Sequence, residues 1–351
     1  MMYSVLMHVT KPARALLLAS VALSVPAAAQ SDTTAVLSML VTSHEDGQGL
    51  PYGTIAIRSL GFTRFTDETG RLTIRRLPAG SYAVEAREIG FAPKDTVVAL
   101  QAGEQLSVTI ALGRVAIRLA RVTVHMQRSR DCTGTGLPEY SSDPDVDEIF
   151  HQLRSNIDRA RLLTDQYPLQ YSLDRVRLSR RPGAFDKVIQ HDTTVFDDRK
   201  PPYQPGKVIF FDMDHGEKKR MVRLITFADL GDSAFLANHC FAFGGLPFVD
   251  RRRMIQIDFA PAKWLRAPDV EGAIFLDADR YVVRRAEFHL SHPERADPPI
   301  GALGVTTTFR EVAPLITLFE TVDSEEPVDG ERTIEHDRLL KFLYVQRSPG
   351  Q

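Results

Sequence analysis

The sequence predicts a mainly β protein of two folded units: a small seven-stranded β-sandwich, then a curved antiparallel sheet or half-barrel with one main helix. Three observations predict it. Short runs over 33–126 alternate apolar and polar residues, the period of a half-buried strand. One amphipathic helical stripe begins just after a punctuated stretch at 127–142. About ten more strand-like runs then fill 143–351. The 351 residues are 43% hydrophobic and 25% charged, which suits a globular chain long enough for two or three cores. With 43 Lys+Arg against 45 Asp+Glu, the balance of charge gives no electrostatic footprint for nucleic acid.

The first element is an address. Lys11 and Arg14 precede an apolar run from Ala15 to Val25, and Ala27-Ala28-Ala29 supplies the small residues that a signal peptidase needs just before its cut. Residues 1–29 are therefore expected to be a secretory signal peptide, cleaved before Gln30. The run is shorter than the about 20 residues that cross a bilayer. No Cys follows it to carry a lipid anchor, and every later apolar stretch is broken by a charge, Gly or Pro. The expected product is an exported chain without a transmembrane span, with 41 basic and 45 acidic residues. Such a chain gains no general attraction to anionic lipid.

Export bears on Cys132 and Cys240, the two cysteines of the chain. An oxidising compartment lets them form one intrachain disulfide, worth up to about 4.7 kcal/mol for a loop of about 100 residues in the chain-entropy model. Two buried free thiols are the alternative.

The sandwich strands come next. Leu106, Val108, Ile110 and Leu112 alternate with Gln105, Ser107, Thr109 and Ala111. Similar runs stand at Leu37/Met39/Val41, Ile55/Ile57, Leu72/Ile74, Tyr82/Val84/Ala86, Val98/Leu100 and Val122/Val124. Turns are written between them: Asp67-Glu68-Thr69-Gly70 ends in a residue free to take positive φ, and Leu77-Pro78-Ala79-Gly80 joins a fixed φ to a permissive one.

Thr66-Asp67-Glu68-Thr69-Gly70-Arg71-Leu72, then Leu77-Pro78-Ala79-Gly80-Ser81-Tyr82, then Ile89-Gly90-Phe91 resemble the hallmark run of the carboxypeptidase regulatory-like domain. That resemblance implies a transthyretin-like seven-stranded sandwich over about 33–126. It also implies an accessory or docking module, sometimes classed with carbohydrate-binding-like folds, of the kind found on envelope proteins of Gram-negative bacteria. The family has no catalytic residues to carry over, and fold analogy alone supplies no function. The enzyme that lends the family its name needs a His-x-x-Glu zinc pair. None of the ten histidines has Glu three positions later, which argues against that peptidase activity; His292-Pro293-Glu294 has the wrong spacing.

Gln127–Ser142 reads as a polar linker containing Gly134 and Gly136. The helix follows, with Val146, Ile149, Phe150, Leu153, Ile157 and Ala160 on one stripe. Ser142 or Asp143 can cap it, Pro144 suits its first turn, and Asp145, Asp147 and Glu148 complement its positive end. Arg159 and Arg161 lie toward the other end, and the helix should stop before Pro168. Strand runs then stand at Leu169/Tyr171/Leu173, Val188–Gln190, Val208–Phe211, Met221–Phe227, Ile255/Ile257/Phe259, Ala273–Leu276, Tyr281–Leu290, Val305–Phe309, Leu315–Phe319 and Leu339–Val345. Gly272–Phe288 reads as a hairpin turning at Asp277–Arg280. One helix and about ten strands are similar in pattern to the periplasmic lipoprotein-carrier half-barrels, where a sheet encloses an apolar groove. That likeness makes an apolar cavity the natural candidate site.

Motifs for other chemistry are weak. Asp143-Pro144-Asp145-Val146-Asp147 imitates a calcium loop but has Glu148 where Gly is required and Arg154 where a bidentate Glu belongs, so a capped helix start is the better reading. Gly231-Asp232-Ser233-Ala234-Phe235 lacks the last Gly of a nucleophile elbow. Gly134-Thr135-Gly136 lacks the third Gly of a dinucleotide fingerprint and reads as flexible spacing. His289, His292 and Glu294 would reach one metal only if a turn at Pro293 brought them together, and His239 beside Cys240 is a second weak metal candidate. Arg251-Arg252-Arg253 and Lys218-Lys219 read as solvated hairpin loops, with a phosphate or headgroup contact as the alternative. Phe241, Phe243, Phe248 and Trp264 read as sheet core rather than the floor of a ligand groove.

The expectation is an exported periplasmic or outer-membrane-associated protein without a catalytic centre, cofactor or metal. It would bind an envelope protein, a lipid or a glycan. A carbohydrate-binding accessory module is the competing reading, with Tyr52, Phe62, Phe65 and Phe91 as the available sandwich aromatics. A hydrolase built on the C-terminal unit is a third, and would need a Ser, His and acid converging in a pocket.

Overall fold

The computed structural model describes residues 34–117, 132, 134–138, 143–166, 169–180, 186–197, 202–214, 217–223, 225–297, 301–313, 316–328 and 331–344. The expected signal segment 1–29 and the Val122/Val124 run lie outside the described residues.

Seven strands build the N-terminal unit: β1 (Thr34–Ser43), β2 (Thr54–Ile57), β3 (Phe62–Phe65), β4 (Arg71–Pro78), β5 (Gly80–Arg87), β6 (Lys94–Leu100) and β7 (Gln105–Leu112). They form two sheets, β4-β1-β7 and β3-β2-β5-β6, with β1 antiparallel to β4 and parallel to β7. Alternation decides which side chains meet between the sheets: Leu37, Met39 and Val41 from one face Ile55, Ile57, Val84 and Ala86 from the other, all buried. Each large apolar side chain removed from water there contributes about 1.5–3 kcal/mol. The described sandwich has β3 as its seventh strand. Its four residues are half-buried or exposed, so they carry no inward and outward alternation to read.

Turn chemistry is as written in the sequence. The Asp67 Oδ1 accepts from the backbone N–H of Thr69 at 2.8 Å and of Arg71 at 2.9 Å. Gly70 sits at φ 81°, and a Cβ there would lie 2.6 Å from the Val41 carbonyl oxygen.

The C-terminal unit opens with α1 (Pro144–Gln166), whose first turn is capped by Asp143 Oδ1 accepting from Asp145 N at 3.0 Å. Then come β8 (Leu169–Arg180), β9 (Lys187–Asp197), β10 (Ile209–Asp214), β11 (Glu217–Val222), α2 (Ser233–Asn238), β12 (His239–Gly245), β13 (Phe248–Val249), β14 (Arg252–Pro261), β15 (Asp269–Asp277), β16 (Val283–Ser291), β17 (Gly304–Ala313), β18 (Ile316–Val328) and β19 (Glu331–Tyr344). β10 and β11 pair as a separate hairpin. The rest form one ten-stranded sheet, ordered β12-β14-β15-β16-β17-β18-β19-β8-β9, with β13 on β14. The sheet stays open, with β12 and β9 as its edges. No helix among the described residues is long and apolar enough to cross a membrane.

Several strands, β8, β9, β18 and β19 among them, run longer than the apolar runs that announce them, and three further departures have a local cause. The run expected over Met221–Phe227 leaves the strand after Val222, because Asp229 Oδ2 accepts from Thr226 N and Oγ1 at 2.8 and 2.9 Å and bends the chain into a 3-10 turn. The β16 strand starts at Val283 rather than Tyr281: Asp277 Oδ1 binds the N–H groups of Asp279 and Arg280, and Tyr281 takes φ 57° to close the turn. The segment Ser233–Val249, for which the sequence named no strand run or helix beyond its core aromatics, holds α2, β12 and β13; Asp232 caps α2 by accepting from Ala234 N at 2.7 Å.

Helix α1 is held from two sides. On the sheet side, Asn156 donates to Tyr281 O at 2.8 Å and accepts from Val283 N at 3.0 Å. On the other side the sandwich docks through the loop after β5, which carries the Ile89-Gly90-Phe91 motif. Ile89 enters the core of the C-terminal unit, Gly90 N donates to Gln152 Oε1 at 2.7 Å, and Gln152 Nε2 donates to Phe91 O at 3.0 Å. Glu88 and Arg159 pair at 2.8 Å with both side chains buried, and Arg87 reaches Asp158 at 2.9 Å. Burial pushes the Glu88 carboxyl up against the opposing pull of Arg159.

Candidate functional site

An apolar cavity of about 190 Å³ lies between the C-terminal half of α1 and the concave face of the large sheet. Period two builds it: Leu169, Tyr171 and Leu173 of β8 and Val305, Thr307 and Phe309 of β17 point to the same side. Ala160, Leu163 and Thr164 of α1 close the opposite wall. The Phe227 and Phe309 rings meet edge to face at 5.9 Å, and Tyr171 and Phe319 lie 4.8 Å apart. Polar groups are few and mostly committed. Arg175 binds Asp337 through two bonds, Nε to Oδ1 at 2.8 Å and Nη2 to Oδ2 at 2.7 Å, and that fork holds the guanidinium above its ordinary range. A wholly apolar cavity of about 150 Å³ takes benzene in other proteins. The volume here thus suits one small ring or a short length of alkyl chain, each buried CH₂ contributing about 0.8 kcal/mol.

A second, much wider space of about 1530 Å³ separates the sandwich from the opposite flank of α1. Its walls carry Arg58, Arg64, Glu85 and Arg87 on one side and Arg154, Asp158 and Arg161 on the other. Burial pushes the Asp158 carboxyl up, with Arg87 pulling against it. For Glu85 burial is outweighed by Arg87 and Arg58, which hold it below its ordinary value.

Neither space gathers the polar residues singled out in the sequence as metal ligands. His289 is exposed on β16, whereas His292 turns to φ 51° beyond the strand and lies 3.4 Å from Glu294. Among the described residues no three His, Cys, Asp or Glu side chains converge as a metal cluster. His239 is wholly buried, stacked on Phe235 with ring centroids 3.8 Å apart, its nitrogens 3.0 and 3.1 Å from the carbonyl oxygens of Phe235 and Val270. Asp269 lies 3.5 Å from that ring and accepts from Tyr203 Oη at 2.6 Å; burial and the carboxylate push the Tyr203 phenol up. Ser291 Oγ accepts from Asp269 N at 3.2 Å. This Ser, His and Asp set is buried and cross-links β12, β15 and β16.

Cys132 and Cys240 form a disulfide with Cα atoms 5.5 Å apart. Beside it Gly136 N donates to His239 O at 2.8 Å, so the described part of the linker is tied to β12 and is not a free spacer. Ser233 opens α2, and the Asp143 run opens α1, as capped helix starts. Asp250 and Arg251 make the β13–β14 turn with positive φ, and the side chains of Lys218 and Lys219 lie outside the described residues. The aromatic readings divide. Phe241 is core and Phe243 packs against it, but Phe248 and Trp264 are 76% and 58% exposed, a correction to their reading as core. Phe91 is buried in the sandwich and Phe62 packs against its core, which leaves no row of exposed rings there. The residues that the sequence did not mark are Phe227, Phe309 and Asp337. Their partners are distant in the chain, and only the alternation in β17 pointed toward one face.

The solved structures that resemble the chain do so weakly. A DUF1329 family protein from Desulfovibrio piger ATCC 29098 superposes with a TM-score of 0.32 and 12% identity, over 57% of this chain and 95% of its own. A domain named for outer membrane lipoprotein sorting from Vibrio parahaemolyticus gives a TM-score of 0.31 and 10% identity, over 58% and 94%. A protein named for carbohydrate binding from Bacteroides uniformis ATCC 8492 gives 0.22 and 9%, over 73% and 95%. No curated protein matches the chain. Residues 36–113, the sandwich, match the family model of the carboxypeptidase regulatory-like domain.

Proposed function

We propose that the chain is an exported, non-catalytic envelope protein that holds an apolar group between α1 and its curved sheet, with the sandwich as an accessory interaction module. One observation carries the reading: the cavity lined by Tyr171, Phe227, Phe309 and Phe319, whose one charged pair, Arg175 and Asp337, is mutually satisfied. A space with that lining rewards burial of hydrocarbon, and its one carboxylate, Asp337, is held by Arg175. The ligand class it fits is an alkyl chain or small ring, as on a lipid or acylated partner. The Lys11 to Ala29 segment supports export, and with it the proposed setting in the periplasm or at the outer membrane. The family match over 36–113 supports the accessory role of the sandwich.

Mass spectrometry of small molecules co-purifying with the full chain tests it. Acyl-bearing lipid is expected with the native protein and absent from Leu318→Asn, which keeps side-chain size but makes the wall polar. Equal lipid on both proteins, or none on either after loading with a medium-chain fatty acid, would overturn the reading. Recovery of bound glycan on a folded Leu318→Asn protein would favour the carbohydrate-binding alternative.

A further inference from the structure

We propose that the wide cleft between the sandwich and α1 is a second binding site, separate from the apolar cavity, which takes an oligosaccharide bearing carboxylate groups. The argument begins with charge. Five arginines line the cleft, Arg58, Arg64, Arg87, Arg154 and Arg161, against the acids Glu85, Asp158 and Asp165. Glu85 is taken by Arg58 at 3.0 Å and by Arg87, and Asp158 is taken by Arg87. Three guanidinium groups therefore keep most of their donors. Arg154 faces Asp158 electrostatically but makes no hydrogen bond or ion pair among the described residues. Arg161 gives one N–H to Gly231 O at 2.7 Å. Arg64 gives one to Thr63 O at 2.8 Å and lies over the Phe62 ring at 5.2 Å. Each guanidinium carries five N–H groups in a planar fork that matches a carboxylate, so Arg64, Arg154 and Arg161 line the cleft with donors beyond the bonds named.

Spacing and size narrow the ligand. Arg154 and Arg161 stand seven residues apart on one face of α1, about 10 Å along the helix axis, the order of two linked sugar rings. Arg64 stands on the facing wall. A volume of about 1530 Å³ exceeds the roughly 300–1,000 Å³ of ordinary small-molecule pockets, which favours an extended chain over a single small anion. Between the charges the walls carry the hydroxyl of Thr135 and the bare backbone of Gly61, Gly134 and Gly136. Those are partners for ring hydroxyls, which an acidic peptide lacks.

Titration calorimetry on the full chain tests the assignment with three probes of similar length: a short oligogalacturonate, neutral malto-oligosaccharide and oligoglutamate. Oligogalacturonate is expected to bind best, more weakly as salt rises. Arg154→Ala, Arg161→Ala and Arg64→Ala should each weaken it roughly tenfold, and Arg154→Lys should recover only part of the loss. Fatty-acid binding by the same variants should not change, which also shows that they are folded and separates this site from the apolar cavity. Oligoglutamate binding as tightly would assign the cleft to acidic peptide instead. Equal binding of the neutral sugar, no binding of any probe, or indifference to the arginine substitutions would overturn the proposal.

Discussion

Glu88 and Arg159 join the sandwich to α1 across 71 residues of chain, and substitution of either tests whether the two units form one docked body. Their side chains are 2% and 7% exposed, and Arg159 Nη2 lies 2.8 Å from both carboxylate oxygens. Glu88→Leu strands a guanidinium in that setting, and Arg159→Met strands a carboxylate. Breaking one side of a buried pair costs about 3–5 kcal/mol, whereas replacing both partners by apolar groups of similar size is neutral or stabilising by about 1–4 kcal/mol. Glu88→Leu with Arg159→Met should therefore recover most of the loss from either single change. Urea unfolding read by far-ultraviolet circular dichroism measures the four proteins, and limited proteolysis reports separation of the units. Single variants that each cost less than about 1 kcal/mol would refute the docking argument. So would a double variant as unstable as the sum of the singles, since its side chains would then not be coupled.

Three further outcomes follow from named contacts. Burial raises the Glu148 carboxyl above its ordinary 4.5, with a hydrogen bond from Gln152 opposing the rise. Its contribution to stability is thus full below that value and lost as pH rises through the folded-state pKa; Glu148→Gln should flatten the decline in urea midpoint as pH rises above 4.5. Opening the Cys132–Cys240 disulfide, which spans 108 residues, by paired Ser substitution should cost up to about 4.7 kcal/mol; a loss below about 1 kcal/mol in chemical denaturation would contradict that. In Gly272→Ala the new Cβ would start 1.8 Å from the Glu287 carbonyl oxygen, so the β15–β16 pairing must shift; a cost of about 2–4 kcal/mol is expected, and an unchanged melting curve would disprove the close approach.

The sandwich was legible because its signals are local. Leu37, Met39 and Val41 announce an inward face within five residues, and Asp67 with Gly70 writes a turn in four. β3 was not, since Phe62-Thr63-Arg64-Phe65 is short and nowhere fully buried. Helix α1 was legible from stripe and cap, yet its second face was not: Gln152 and Arg159 look like solvent residues until Ile89-Gly90-Phe91 and Glu88 are brought against them. The same holds for the cavity. Leu169, Tyr171 and Leu173 marked an apolar face, but Phe227, Phe319 and Asp337 join them only through the fold. Phe248 and Trp264 misled because aromatic character does not say which side of a hairpin a ring will take.

The apolar cavity is tested most directly by calorimetric titration of a medium-chain fatty alcohol, which carries hydrocarbon and no charge, at several temperatures. Saturable one-to-one binding with a negative heat-capacity change is predicted, abolished by Leu318→Asn. No binding, or the same binding by a folded Leu318→Asn protein, would contradict a hydrocarbon site between α1 and the curved sheet.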